Sequence, residues 1–167
     1  VLDAGQLSVC HSNFMLEFQV KTTESGQVLD ASNGSASEFT QGLGITIASG
    51  EELCHNGTTT AAKGTVYFNF ATGAERAEGF CSSTRVNDGQ WHTVNIVVHR
   101  ATFVEFYTDG RNQSGASTVL SGPIQFPQLR LGSGAWAHGF SGQMRGVVLY
   151  GSALTPQDLA FRSRADR

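Results

Sequence analysis

Val86-Asn87-Asp88-Gly89-Gln90-Trp91-His92-Thr93-Val94, with the residues that follow it to Gly110, is the stretch from which the fold can be read. Asn87-Asp88-Gly89 is a polar turn. A strand is expected from Trp91 to His99, with Val94, Ile96 and Val98 on one face and Thr93, Asn95 and His99 on the other. Alternation of period two is what a half-buried strand requires. Arg100-Ala101-Thr102 interrupts it, and a second strand from Phe103 to Thr108 ends at Asp109-Gly110. Asp-Gly marks a tight hairpin because glycine supplies positive φ at no steric cost.

The same period recurs outward from this centre. Phe14, Leu16, Phe18 and Val20 share one face of a strand whose other face is Glu17, Gln19 and Lys21. Further strands are expected at Val1–Val9, Gln27–Leu29, Gly42–Ala48, Thr65–Phe70, Gly79–Thr84, Gln128–Leu131 and Phe140–Tyr150. Segments 30–37, 51–63 and 112–122 are rich in Ser, Gly, Asn, Ala and Thr and read as loops. Ser152 to Leu159 reads as one short helix, with Thr155 as N-cap, Pro156 at the first helical position and Asp158 in the first turn. Short strands separated by turns, with one late helix, specify an all-β sandwich.

The totals agree. The 167 residues suit one domain, with 20 Gly, 11 Phe and only 15% charged residues. Net charge is −3 and the terminal Arg162-Ser163-Arg164 is the nearest thing to a basic run, so a nucleic-acid surface is not indicated. No apolar stretch reaches the ~18 residues of a membrane span, so no direct membrane insertion is expected. The chain starts at Val1 without Met and is read as part of a larger chain. Sequons at Asn33, Asn56 and Asn112 all fall in turn-like sequence and are candidate glycosylation sites, which favours an extracellular or cell-surface setting. The cysteines are Cys10, Cys54 and Cys81, an odd number that leaves one thiol free or joined to another chain.

Several segments carry a family resemblance in the right order. They are Asp-Gly-Gln-Trp-His-Thr-Val at 88–94, Phe-Met-Leu-Glu-Phe-Gln-Val-Lys at 14–21, and Leu-Arg-Leu-Gly at 129–132. The last two are Phe-Ser-Gly-Gln-Met-Arg-Gly-Val-Val-Leu-Tyr at 140–150 and Ala-Leu-Thr-Pro-Gln-Asp-Leu at 153–159. Together they resemble the laminin G-like domains of the concanavalin A-like lectin/glucanase superfamily, over roughly residues 14 to 160. The resemblance implies one jelly-roll domain over 1–167, with two antiparallel sheets, Trp91 packed in the sandwich, and binding by loops at one rim.

It also sharpens what chemistry to expect. The glucanase relatives hold paired carboxylates on alternate residues of one strand, as glycoside hydrolysis needs two carboxyls across the scissile bond. Glu51-Glu52 are adjacent, Glu75 and Glu78 lie in a loop, and Glu17 and Glu105 are lone strand carboxylates, so no enzyme is expected. Ser141 lacks the Gly-x-Ser-x-Gly spacing of a nucleophile elbow, and the five histidines show no metal-binding spacing. Many members of the family hold calcium, but the matching ligand positions fall on Ile45 and near Ile124, leaving only the Phe70 carbonyl. No cofactor is therefore expected, with a different calcium site on Asp30 or Asp88 left open. Gln143 stands where many members have cysteine, so a Cys54–Cys81 disulfide is proposed in place of the usual one. Three reduced thiols, or a link through Cys10, are the alternatives.

Binding remains. Trp136, in the glycine-flanked Gly134-Ala135-Trp136-Ala137-His138-Gly139, is placed to stack on a sugar with His138 beside it, or to plug the loop; Asp30 is a further rim candidate. The expected function is a non-catalytic extracellular module for adhesion or protein binding, with a lectin-like module as the alternative. A degenerate member of the glucanase branch is the weakest reading. The expected partner is an extracellular protein or glycan.

Overall fold

A computed structural model describes residues 7–9, 12–32, 41–54, 57, 59–73, 77–118, 122–126, 128–134 and 138–153. Its strands are β1 (Leu7–Val9), β2 (Phe14–Lys21), β3 (Gly26–Ser32), β4 (Gln41–Ile47), β5 (Thr65–Thr72), β6 (Glu78–Arg85), β7 (His92–His99), β8 (Phe103–Thr108), β9 (Arg111–Ser117), β10 (Ile124–Phe126), β11 (Arg130–Leu131) and β12 (Gln143–Tyr150). They build two five-stranded sheets, ordered β11-β3-β4-β5-β6 and β12-β2-β7-β8-β9, with β1 and β10 as a separate pair. Every named strand pair is antiparallel. The fold is an all-β jelly-roll sandwich. The expected C-terminal helix and Cys10 lie outside the described residues.

The alternation in β2 and β7 fixes their register. Phe14 pairs with Val98, Leu16 with Ile96 and Phe18 with Val94, so the apolar residues of both strands share the inner face. Against them the other sheet sets Leu43, Ile45 and Ile47 from β4 and Val66, Phe68 and Phe70 from β5, all at most 1% exposed. Phe70 stacks on both Phe68 and Phe80, with ring centroids 5.5 and 5.7 Å away. One apolar cluster thus spans both sheets, and burial of this kind supplies most of the folding free energy.

The structure extends several expected elements. Residues 30–32 belong to β3, not to a loop, and all of β3 is buried. Residues 111–117 form β9, where small polar residues read as a loop, and 124–126 form β10. Short polar side chains suit a strand at a sheet edge, where one face meets water, so composition alone misleads there. Leu129 packs on the core as expected, but Leu131 is 42% exposed because β11 is a two-residue edge strand.

Three backbone positions show why particular residues were needed. Asp109 and Gly110, at φ 53° and 75°, make the two-residue turn between Thr108 and Arg111, the left-handed pair of a tight hairpin. Gly42 has φ 114°, and a Cβ there would collide with the Ala31 carbonyl oxygen across the ladder.

A long connection between β4 and β5 lies against the first sheet. Cys54 in that connection is bonded to Cys81 on β6, with Cα atoms 5.6 Å apart. Burial opposes the charge on Glu52, but N–H groups of Ser49, Gly50 and its own backbone outweigh it and hold the carboxyl below its ordinary range. This carboxylate closes the start of the connection as a cap closes a helix.

Candidate functional site: a rim of joined loops

The connections β2–β3, β4–β5, β6–β7, β8–β9 and β11–β12 gather at one end of the sandwich, because antiparallel strands return alternate loops to the same end. Backbone bonds knit them: Gly89 N–H donates to Thr22 O at 2.9 Å, Val86 N–H to Gly64 O at 2.8 Å, and Gln27 N–H to His138 O at 2.9 Å. The Thr22 hydroxyl donates to Ser141 O at 2.6 Å. Ser25 Oγ donates to Ala48 O at 2.8 Å. The rim is therefore held in place by main-chain contacts and is not a set of independent loops.

Two side-chain groups stand out on it. Trp91 is not packed inside the sandwich, as the family resemblance implied. It is partly exposed at the start of β7, and the Arg145 guanidinium lies 4.3 Å from its ring centroid. Arg145 Nε also donates to Gln19 Oε1 at 2.5 Å, so the cation is fixed over the ring from the neighbouring strands. The correction follows from parity: Gln19 and Thr93 pair on the outer face, with Arg145 opposite Gln19.

The second group is His92. Its Nδ1 lies 2.9 Å from Asp109 Oδ2, and its Nε2 lies 2.9 Å from Asp88 Oδ1. With a carboxylate facing each ring nitrogen, the imidazolium satisfies both contacts at once. Burial opposes that charge, yet hydrogen bonds and charges from Asp109 and Asp88 outweigh it, so the His92 pKa is raised. Asp88 is held below its ordinary value, first by the Gln90 N–H and then by His92. Asp109 Oδ1 also accepts the Thr93 N–H at 3.0 Å. One histidine thus ties the β6–β7 loop to the β8–β9 turn.

The residues singled out from sequence are distributed differently. Trp136, Asn33 and Asn56 lie outside the described residues. His138 is exposed on the rim, with its carbonyl engaged by Gln27. Asp30 is not on the rim: it is 1% exposed on β3, where its carboxylate meets Arg130 Nη1 at 3.1 Å and the Ser32 hydroxyl at 2.7 Å. A carboxylate so buried and engaged is not presented to a ligand. Asn112 is exposed on β9, and its Nδ2 donates to Glu105 Oε1 at 3.3 Å. Ile45, where the resemblance put one calcium position, and Ile124, near the other, are core residues at 0% exposure.

Glu17 and Glu105 are engaged on the second sheet's outer face. Asn95 Nδ2 donates to Glu17 Oε2 at 2.8 Å, and His99 Nε2 lies 3.1 Å from Glu105 Oε2. They stand on β2 and β8, with β7 between. Among the described residues no group of three or more His, Cys, Asp or Glu could hold a metal ion. Nor, among them, is any helix long and apolar enough to cross a membrane.

Comparison with known proteins agrees with this architecture. The sequence profile of Laminin_G_3, described as the concanavalin A-like lectin/glucanases superfamily, matches residues 3–160. The chain belongs to that family. No curated protein matches the sequence. Among solved structures, the binding domain of Paraclostridial Mosquitocidal Protein 1 is similar, with TM-score 0.63 and 12% identity over 99% of this chain and 40% of that one. The binding domain of botulinum neurotoxin DC, in complex with rat synaptotagmin II, gives TM-score 0.64 and 12% identity over 94% of this chain and 36% of that one. The same binding domain in complex with SialylT gives TM-score 0.60 and 12% identity over 94% and 36%. The chain therefore spans well under half the length of these structures, and at such identities the likeness shows the fold.

The Trp91–Arg145 stack and the His92 tie were not read from sequence. Asp88, His92 and Asp109 each stood in the segment that decides the fold, but their convergence needs the hairpin register. Arg145 is 54 positions from Trp91 in the chain (145 less 91) and meets it only through sheet order.

Proposed function

We propose that this chain is a non-catalytic extracellular recognition module that mediates adhesion or protein binding within a larger surface or matrix protein. The observation that carries this reading is the Trp91 ring stacked under Arg145 on a rim built from backbone-joined loops. Trp and Arg are the residue types that most often dominate protein interfaces, and rigid placement lowers the entropic cost of engaging a partner. The Cys54–Cys81 disulfide supports an oxidising, secreted setting. The exposed Asn112 sequon on β9 supports it further. The similar structures include the receptor binding domain of botulinum neurotoxin C/D mosaic serotype, and a binding domain in complex with rat synaptotagmin II.

The test is attachment of cells to the immobilised domain. Attachment is expected to fall about tenfold or more in Arg145→Glu and Trp91→Ala, as for an interface hot spot, and to be lost when surface proteins are stripped by protease. Unchanged attachment in both variants rules out this rim as the contact.

A lectin-like module is the second reading, favoured by the exposed His138 in the loop that also contains Trp136. Among the similar structures, one concerns the interaction of botulinum neurotoxin type C with two ganglioside molecules, and another is a binding domain in complex with SialylT. Trp136 would stack on a sugar face while His138 hydrogen-bonds beside it; Asp30, buried against Arg130, drops out of this reading. On a glycan array, binding that disappears in Trp136→Ala supports the lectin. Silence supports the protein partner.

A further inference from the structure

The two edges of the sandwich are closed differently. On one side the facing edge strands are tied: Ser83 Oγ of β6 donates to Gln113 O of β9 at 2.5 Å, and the Thr84 hydroxyl bonds the Gln113 side chain. On the other side stand β11 and β12, edge strands of different sheets. There β11 is only two residues long, and β12 is broken by a bulge between Arg145 and Val148, where Gly146 takes φ 62°.

Between the sheets at this open side lies a cavity of about 100 Å³. Leu16 on β2 and Leu149 and Val147 on β12 form one wall. Leu29 and Ala31 on β3 and Leu43 on β4, with Leu129 before β11, form the other. Among the described residues every lining side chain is aliphatic, with no aromatic ring to offer a stacking face and no polar group. A pocket of this size so lined suits small apolar groups, as an engineered apolar cavity of about 150 Å³ takes benzene. One of the exposed large hydrophobics lies beside it: Leu131, 42% exposed, is the cross-strand partner of the lining residue Leu29. At Leu131 an apolar surface continues from the pocket to the outside along the open edge.

We propose that this edge pocket binds the end of a saturated aliphatic chain, as carried by a medium-chain fatty acid, with the head group left in solvent. The pocket's size admits only a few carbons, and the apolar lip carries the next ones out. Sugars and aromatic compounds lack a matching surface there. The site is separate from the rim of joined loops and does not depend on the function proposed for that rim.

The probe is sodium octanoate, compared with hexanoate and butanoate, and the readout is the methyl spectrum of the isotope-labelled protein. Octanoate at millimolar concentration is expected to shift the Leu16, Leu43, Val147 and Leu149 methyl resonances. Affinity is expected to rise with each added methylene along the series, by at most about fourfold per methylene, the increment for fully burying one CH₂. Ala31→Leu and Val147→Phe, each filling the pocket, are expected to abolish the shifts. Ala31 is fully enclosed and its replacement risks the fold, whereas Val147 is only partly buried and tolerates the larger ring better. Lining methyls that do not move in the native protein overturn the proposal. So do shifts that survive in a folded filled variant, or an affinity independent of chain length.

Discussion

Replacing both bonded cysteines, as Cys54→Ser with Cys81→Ser, probes how much the fold depends on a single covalent tie. The bridge joins residues 27 apart in sequence. Closing a loop of that size in the unfolded chain removes entropy worth about 3.5 kcal/mol at 25 °C. Unfolding entropy runs near 2.1 cal/mol/K per residue, so for a chain of 167 residues this corresponds to a melting temperature lower by about 10 °C. The local bonds of the connection remain, with Cys54 N–H donating to Thr59 O at 2.8 Å and Ala61 N–H to Glu52 O at 2.8 Å. The loss should therefore stay near the entropic figure and not grow into collapse of the first sheet. Differential scanning calorimetry of native and double-variant protein measures it, and a reducing agent should lower the native protein to the variant's value. A melting temperature within about 3 °C of the native protein refutes the loop-entropy reasoning. A second transition would show instead that the connection unfolds as its own unit.

Further outcomes follow from the rim and the backbone. The folded pKa of His92 is raised, so its contribution is fully present below the ordinary value of 6.5 and is lost as pH climbs through the raised one. The melting-temperature gap between native protein and His92→Gln should therefore be wide below the ordinary value and close as pH rises through the raised one; a gap that does not change with pH would contradict the two-carboxylate tie. Gly42→Ala should cost upwards of about 1–3 kcal/mol in urea unfolding, the strain of its backbone angle plus the collision with Ala31. Gly57→Ala is the matched control, with φ 64° but nothing within 4 Å of the added carbon, and should cost less. Calcium should give no heat on titration and leave the melting temperature in place, because the resemblance puts the ligand positions on Ile45 and near Ile124, both buried and apolar. A rise of several degrees at millimolar calcium would point to a site elsewhere.

Much of this molecule is written in the period of its apolar residues. Phe14, Leu16, Phe18 and Val20, and then Val94, Ile96 and Val98, announce strands with one buried face, and the order of the motifs around them announces the family. Asp109-Gly110 declares its hairpin because few other pairs adopt two positive φ angles in succession. Burial and backbone preference are local properties, so a linear text carries them.

What the chain order could not convey is who meets whom across strands. Asp30 reads as a loop residue because Ser, Ala, Asn and Gly follow it, yet the ladder to Gly44 and the partner Arg130 place it inside. Trp91 reads as a core residue, yet strand parity turns it outward under Arg145. The edge pocket lies where a short β11 and a bulged β12 stand on the same side of two stacked sheets. Contacts of that kind depend on register and sheet order, which are settled when the whole sandwich closes, and no single segment holds that information.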